Sequence, residues 1–318
     1  MQGVSSSVGG AAVGLRLSVA GEDLDGVHRH DPMWVSGDLF WRFHDALAAD
    51  HPAFSWCFDD GDHVVGHGAV DCQAIRSTDQ ALGFLWVAPE ARGNGVGRAL
   101  RDAIRTTAAQ HGFHKVLMSV PEADPHGRAV AEHWGAMLDG HHFESTLDLT
   151  TITDAEVDEW TAKARAAGVT IHPVEDDRAL TALFPFARER FSEAPDSGDA
   201  SDELTIDVFR TTAEPPNTLT ARQGDDIVGM TWVFTRPGEP PAANTAFTGV
   251  HPAARGQGIA LALKAEQSRQ LRDRGYHTLL TQNMSVNEPI LRANRRMGFV
   301  PGPGWFDFVL AAHNPDLK

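Results

Sequence analysis

Two short loops of this chain combine an arginine with closely spaced glycines, and both could bind an anion through the main chain. Residues 92–97 read Arg-Gly-Asn-Gly-Val-Gly, and residues 255–260 read Arg-Gly-Gln-Gly-Ile-Ala. Because glycine leaves the backbone bare, several successive N–H groups can converge on one ligand. A helix that starts directly after such a turn adds the positive end of its dipole. The residue types and their spacing therefore predict two cradles for a diphosphate group.

The two loops belong to an internal repeat with an offset of 163 residues. Val87 corresponds to Val250, and the register continues without a gap until Gly135 corresponds to Gly298. A register kept over this length indicates that one unit was duplicated. The chain should therefore contain two copies of one fold.

Each copy reads as a strand, the glycine loop and a helix. The apolar runs at residues 82–87 and 245–250 stop at an X-Pro step, as a buried strand does before a loop. Apolar residues then recur at helical spacing over residues 96–111 and 259–274, and a glycine follows each helix at the position of a C-terminal cap. Each cradle is thus expected between a strand end and a helix N-terminus.

A second strand and a second helix complete each copy. Residues 114–120 and 277–281 are apolar enough to return to the sheet, and the helices that follow end at Gly135 and Gly298. The predicted fold class is α/β, with a mixed sheet in each of two tandem domains.

Two better-known phosphate loops do not fit these residues. A Walker A loop requires Gly-Lys-Ser/Thr after the glycines, whereas this chain has Gly97-Arg98-Ala99 and Ala260-Leu261-Ala262. The dinucleotide-binding pattern requires a third glycine, which is absent here. The ligand is therefore expected to be neither a Walker-type nucleoside triphosphate nor a Rossmann-type dinucleotide.

The loops and the segment Asn287–Phe299 resemble the GNAT superfamily of N-acetyltransferases. In that superfamily the loop binds the diphosphate of acyl-CoA, the preceding strand pairs with the pantetheine arm, and a later helix ends in a Gly-Phe pair. The resemblance implies two tandem GNAT-like domains and acetyl-CoA, or another short acyl-CoA, as cofactor. The implied cofactor-binding residues are Val87, Arg92, Gly93, Asn94, Gly95, Val96 and Gly97, and Val250, Arg255, Gly256, Gln257, Gly258, Ile259, Ala260 and Asn287.

The catalytic acid of the superfamily is missing at its usual place. That acid is often a tyrosine four residues before the helix-ending glycine, where this chain has Ala131 and Asn294. The chain's single tyrosine, Tyr276, is expected at the start of a strand away from the cleft. The general base also stays open, and the candidate catalytic residues are Asn294, Ser285 and His251.

The second copy keeps more of the superfamily's pattern, since Asn287, Asn294 and the pair Gly298-Phe299 occur only there. We therefore expect the C-terminal copy to be catalytic. The resulting interpretation is an acetyl-CoA-dependent N-acetyltransferase that acts on a small amine by direct acyl transfer. Two alternatives stay open, namely a non-catalytic acyl-CoA-binding module and a protein or peptide N-acetyltransferase.

Composition limits the classes of molecule that the chain is expected to bind. A formal charge of −16 disfavours nucleic acid and anionic membranes, and it favours a cationic amine as the acceptor. The sixteen histidines show no metal-site spacing, so no metal is expected. Two cysteines and no signal-like start favour a cytoplasmic location. The oligomeric state stays open.

The repeat also sets the expected domain boundaries. Residues 1–13 should be a disordered tail, residues 14–152 the N-terminal domain, and residues 169–318 the C-terminal domain. Residues 153–168 are a charged amphipathic segment with a capping signal and should form a linker helix. We expect residues 143–149 to close the first domain as its last strand, and residues 305–310 to close the second.

Overall fold

The computed structural model describes residues 14–17, 53–60, 63–72, 79–194, 204–236 and 241–312. The predicted tail at residues 1–13 lies outside these ranges. The described chain divides into two compact units. Elements are numbered below in chain order over the described residues.

The N-terminal unit contains most of the first copy. Its strands are β1 (Gly14–Leu17), β2 (Ala53–Asp59), β3 (Val64–Asp71), β4 (Gln80–Val87) and β5 (Lys115–Pro121), and its helices are α1 (Val96–Gln110) and α2 (Pro125–His133). Strands β1 to β4 pair antiparallel in chain order, whereas β4 and β5 pair parallel. Leu100, Ile104 and Ala108 bury one stripe of α1 in the core. The predicted strand–loop–helix–strand–helix order is found in this unit.

The C-terminal unit repeats this order. Its strands are β6 (Met137–Asp148), β7 (Val169–Pro173), β8 (Thr218–Gln223), β9 (Asp226–Arg236), β10 (Ala242–Val250), β11 (Thr278–Met284) and β12 (Val300–Ala311). Its helices are α3 (Asp154–Ala166), α4 (Asp177–Phe191), α5 (Ile206–Thr212), α6 (Ile259–Asp273) and α7 (Glu288–Met297). Strands β10 and β11 pair parallel, while β6 with β11 and the succession β7–β8–β9–β10 pair antiparallel. The predicted strand at 277–281 therefore extends further, to Met284.

Part of the last strand of each copy lies in the other unit. Residues 140–148 of β6 belong to the C-terminal unit, and residues 307–311 of β12 belong to the N-terminal unit. There Val309 packs with Phe84 and Leu117, and the Ser119 hydroxyl donates a 2.6 Å hydrogen bond to Asp307. The sequence predicts instead that each copy closes with its own last strand. A period of two shows which face of a strand is buried, but it does not specify the sheet edge that the strand joins.

Helix α3, the expected linker, packs into the core of the C-terminal unit. Val157 and Trp160 lie in one cluster with Leu261 and Ala265 of α6. The Arg272 guanidinium near the end of α6 binds Asp154 at 2.6 Å, at the start of α3. The two helices therefore run antiparallel and hold each other along their lengths.

The start of α3 allows a stability prediction. Thr153 and Glu156 form a capping box, in which the Glu156 amide donates to the Thr153 hydroxyl and the Thr153 amide donates to the Glu156 carboxylate. Thr153→Ala removes one of these bonds, so we expect a loss of about 1 kcal/mol in the free energy of unfolding. Urea titration measures it. Thr181→Ala on the exposed face of α4 is the control, and an equal loss there would contradict the capping role.

Candidate functional site

Strands β10 and β11 separate before they end. Their parallel pairing covers only Ala242–Thr245 with Thr278–Thr281, and β10 has an irregularity directly after Thr245. Beyond that point β10 continues to Val250 against β9, and β11 continues to Met284 against β6. A wedge therefore opens between two neighbouring parallel strands, and main-chain groups of β10 face it.

The same separation occurs in the N-terminal unit. Strands β4 and β5 pair only over Gln80–Leu82 with Lys115–Leu117, although β4 extends to Val87. Both copies thus open their sheet on the side where the glycine loop begins. A thin extended ligand with amide groups could pair with the free strand edge there.

The two loops have the same backbone geometry. In each, a single 3-10 turn follows the strand, and two glycines then adopt left-handed angles, with φ of 80° and 86° at Gly93 and Gly95 and of 79° and 82° at Gly256 and Gly258. The second glycine of each pair caps the helix. A side chain would strain both positions, since L-residues rarely adopt these angles.

The arginine of each loop ties the turn to the preceding strand. Arg92 Nε donates to the Val87 carbonyl at 3.2 Å, and Arg255 Nε donates to the Val250 carbonyl at 3.3 Å. Arg255 also forms an ion pair with Glu193, at the end of α4. These arginine side chains hold each loop against the end of the strand that precedes it.

The amides of the first helical turn are available in both copies. The first helical hydrogen bonds are those from Ala99 to Gly95 and from Ala262 to Gly258, each 3.0 Å long, so the three preceding amides have no acceptor within the helix. Val96 and Ile259 bury their side chains in the core and present only their amides. Gly97 and Ala260 follow them, while Asn94 and Gln257 stand between the paired glycines. The geometry fits an anion at each helix start.

The candidate catalytic residues occupy three different settings. Asn294 is buried on α7, and its side-chain nitrogen donates to Asn283 Oδ1 on β11 at 2.6 Å. Ser285 is exposed just beyond β11. His251 caps the 3-10 turn, where Nδ1 accepts from the Ala253 amide at 3.3 Å. No contact among the described residues joins Ser285 or His251 to Asn294.

Asn283 of β11 connects Asn294 to the neighbouring strand β6. Its side-chain nitrogen donates to the Ser145 hydroxyl on β6 at 3.1 Å and to the Thr281 carbonyl at 3.2 Å. Within the described ranges, Asn294 Oδ1 is buried and has no hydrogen-bond partner. An unsatisfied buried acceptor of this kind is costly unless a ligand or water completes it. The Ser145 link was missed at the sequence level, because no local signal relates residues 138 positions apart.

The structure also shows the positions of Asn287 and Tyr276. Asn287 stands at the N-cap of α7, where its main-chain amide donates to the Met284 carbonyl at 3.0 Å and its side chain forms no cap bond within the described residues. Tyr276 precedes β11, at the end opposite to the wedge, where it packs against the Arg274 guanidinium and the core. This position agrees with the expectation that Tyr276 lies away from the cleft.

Lys264 of α6 is fully buried. Its ammonium lies 5.0 Å from the Phe299 ring centre, and no hydrogen-bond partner is found for Nζ in the part of the chain that the structure describes. Burial lowers the pKa of this amine to about 7. The corresponding residue of the first copy, Arg101, lies over Trp134 and pairs with Asp102 at 2.6 Å.

A mixed sheet that opens beside a glycine-lined anion cradle, twice in one chain, defines a tandem acyl-CoA-dependent transferase fold. The chain belongs to the Acetyltransferase (GNAT) family, which matches residues 21–136 and 180–299. It is an N-acetyltransferase, and the family generally uses acyl-CoA. The predicted tandem α/β architecture is thereby confirmed.

Two named relatives and one solved structure resemble this chain. A mycothiol acetyltransferase of Cellulomonas flavigena is 26% identical over 248 residues, covering 74% of this chain and 68% of that protein. The mycothiol acetyltransferase of Rhodococcus erythropolis is 25% identical over 254 residues, covering 76% and 79%. A tandem GNAT protein from the clavulanic acid biosynthesis pathway has a TM-score of 0.67 and 21% identity, over 96% of this chain and all of that one. This last likeness shows the fold.

Two further findings concern the described ranges only. The described residues contain no cluster of three or more His, Cys, Asp or Glu side chains that could hold a metal ion. None of their helices combines the length and apolar composition that a membrane span requires.

Proposed function

We propose that this chain transfers the acetyl group of acetyl-CoA to the amino group of a small molecule, and that the C-terminal copy carries out the reaction. The observation that supports this most is the wedge between β10 and β11, which opens beside the 255–260 loop. Asn287 and Asn294 line the following helix in this copy alone, since their counterparts differ in the first copy. The first copy keeps its loop, so its proposed role is to bind acyl-CoA without turnover.

Different segments of the C-terminal copy bind different parts of acetyl-CoA. The amides of the 258–261 segment hold the diphosphate, and the strand edge at 247–250 pairs with the amide groups of the pantetheine arm. Asn287 adds a side-chain amide at the start of α7. When bound, acetyl-CoA supplies the activated acyl group as a thioester. Main-chain N–H groups near Val250 then stabilise negative charge that develops on the carbonyl oxygen.

Proton transfer is proposed to depend on water rather than on an ionisable side chain. An asparagine cannot ionise in the physiological range, so Asn294 can only position a group through its amide. Its unsatisfied Oδ1 is suited to accept a hydrogen bond from an ordered water or from the incoming amine. Catalysis would then come chiefly from holding amine and thioester in contact.

The acceptor is proposed to be a small, cationic amine. The chain's formal charge of −16 raises the local concentration of cations, and two relatives carry the name mycothiol acetyltransferase, which supports a small-molecule acceptor. The surface field acts on the protonated amine during approach, whereas the reaction requires the deprotonated form. Activity should therefore rise with pH towards the pKa of the amine itself.

Release of free CoA tests this proposal. The purified chain is mixed with acetyl-CoA and a panel of an amino sugar, an amino acid amide, a polyamine and a lysine-containing peptide, and a thiol reagent reports turnover. We expect release with at least one small amine. Saturable CoA binding without release would favour a binding module instead, and release with the peptide alone would favour a peptide acetyltransferase.

A further inference from the structure

A lysine from outside the repeated motif lies against the C-terminal cradle. Lys163, near the end of α3, runs its side chain along Gly258, the residue that caps α6. A Cβ atom added to Gly258 would lie 3.2 Å from Lys163 Cβ, 3.4 Å from Cδ and 3.5 Å from Cγ. Because Nζ is only two bonds beyond Cδ, the ammonium can reach the amides that start α6.

The packing of α3 fixes this position. Arg272 contacts the start of α3, and Val157 and Trp160 pack in the α6 core cluster, so the end of α3 must lie beside the start of α6. Lys163 itself is exposed, and no carboxylate in the described ranges pairs with it. Among the residues that the structure describes, the first copy has no such neighbour, since a Cβ on Gly95 would meet none of their atoms within 4 Å.

The positive charges at the start of α6 favour an anionic ligand. The start of α6 carries the partial positive charge of its helix dipole, and it has three amides without intrahelical acceptors. A lysine ammonium that reaches this point from the Lys163 stem adds like charge, which the fold alone would not favour. A diphosphate would satisfy both groups at once, because a phosphate oxygen can accept from the amides while its charge pairs with the ammonium.

We propose that Lys163 binds the diphosphate of acyl-CoA in the C-terminal cradle and makes that cradle the tighter of the two. This inference rests on the proposed function, since it assumes that the 255–260 loop binds acyl-CoA. It assigns a binding role to α3, which lies outside the duplicated strand–loop–helix unit. The tighter cradle lies in the copy proposed to turn over.

Calorimetric titration with CoA tests the role of Lys163. The first cradle is closed by Gly95→Glu in every sample, so that the signal reports the second cradle alone. Lys163→Gln should weaken CoA binding about tenfold, the loss of one charge-assisted hydrogen bond. Lys163→Arg, which keeps the charge, should stay within about threefold of the parent. The loss for Lys163→Gln should shrink as salt is raised.

Arg165→Gln is the matched control, because it removes the same charge from the same helix. Arg165 lies 3.3 Å from Asp158 and 3.0 Å from Thr161, away from the cradle, and its variant should bind CoA like the parent. Equal affinities for Lys163→Gln and Arg165→Gln would overturn the inference. Dephospho-CoA, which lacks the 3′-phosphate, should show the same tenfold loss, and disappearance of the loss would overturn the diphosphate assignment.

Gly258→Glu in the same background separates this inference from the proposed function. If Gly258→Glu abolishes CoA binding while Lys163→Gln has no effect, the cradle stands and the lysine inference fails. If CoA still binds to Gly258→Glu with the affinity of the parent, the proposed cofactor loop itself fails.

Discussion

Gly258→Glu should lose at least about 100-fold in turnover of acetyl-CoA with an amine acceptor. The new carboxylate would enter the cradle at the position where the diphosphate is proposed to bind, and Lys163 stands close enough to pair with it. The substitution also forces a side chain into a left-handed backbone, with φ of 82°. Loss of two charge-assisted hydrogen bonds, at about 1.5–3 kcal/mol each, accounts for the expected size.

Gly95→Glu provides the comparison within the same molecule. Its backbone angle is nearly the same, with φ of 86°, so the backbone strain of the two substitutions is matched, although an added Cβ meets Lys163 only at Gly258. If the C-terminal copy turns over, Gly95→Glu should keep most of the activity. Steady-state rates of thiol release measure both variants. Gly258→Ala, which adds the strain without the charge, should lose far less than Gly258→Glu.

The outcomes of this pair assign the catalytic copy. Loss of turnover in Gly95→Glu alone would place catalysis in the first copy. Wild-type rates in both variants would refute the assignment of the loops to the cofactor. Circular dichroism of each variant shows whether the fold is retained.

The repeated elements could be predicted because their signals are local. The glycine loops, the helices that follow them and the strands before them depend on residue types within a few positions of one another. The observed left-handed angles at Gly95 and Gly258 are those that only glycine adopts without strain. The duplication could be recognised because corresponding residues keep a constant offset along the chain.

Long-range features could not be predicted from the same signals. The hydrogen bond from Asn283 to Ser145 joins two strands distant in sequence, and it depends on β6 lying in the C-terminal unit. The approach of Lys163 to Gly258 depends on the antiparallel packing of two helices. Both follow from how elements pack, which a hydrophobic period does not specify. They matter for function because they place polar groups at the proposed acyl site and at the cradle.

Burial of Lys264 predicts a second large effect, this time on stability. The folded chain lowers the pKa of this amine from 10.5 to about 7, because the interior disfavours its charged form. Between these values the unfolded chain binds more protons than the folded chain, so the stability contributed by this site rises with pH across that window. Below pH 7 the penalty is complete, at roughly 5 kcal/mol for this shift.

Lys264→Met should therefore stabilise the protein most at low pH. Methionine fills a similar volume without a charge, so we expect a gain of several kcal/mol in the free energy of unfolding at pH 6. The gain should shrink as pH rises above 7 and vanish only well above pH 10.5, where the lysine is neutral in both states. Urea titrations at pH 6, 8 and 10 measure this trend.

Arg101→Met, at the equivalent position of α1, separates the effect of pH from that of packing. Arg101 is partly exposed and paired with Asp102, and an arginine keeps its charge across this pH range. Its variant should change stability by a similar amount at all three pH values. A gain for Lys264→Met that is equally independent of pH would show that the amine titrates normally and that Phe299 and its neighbours do not exclude water from it.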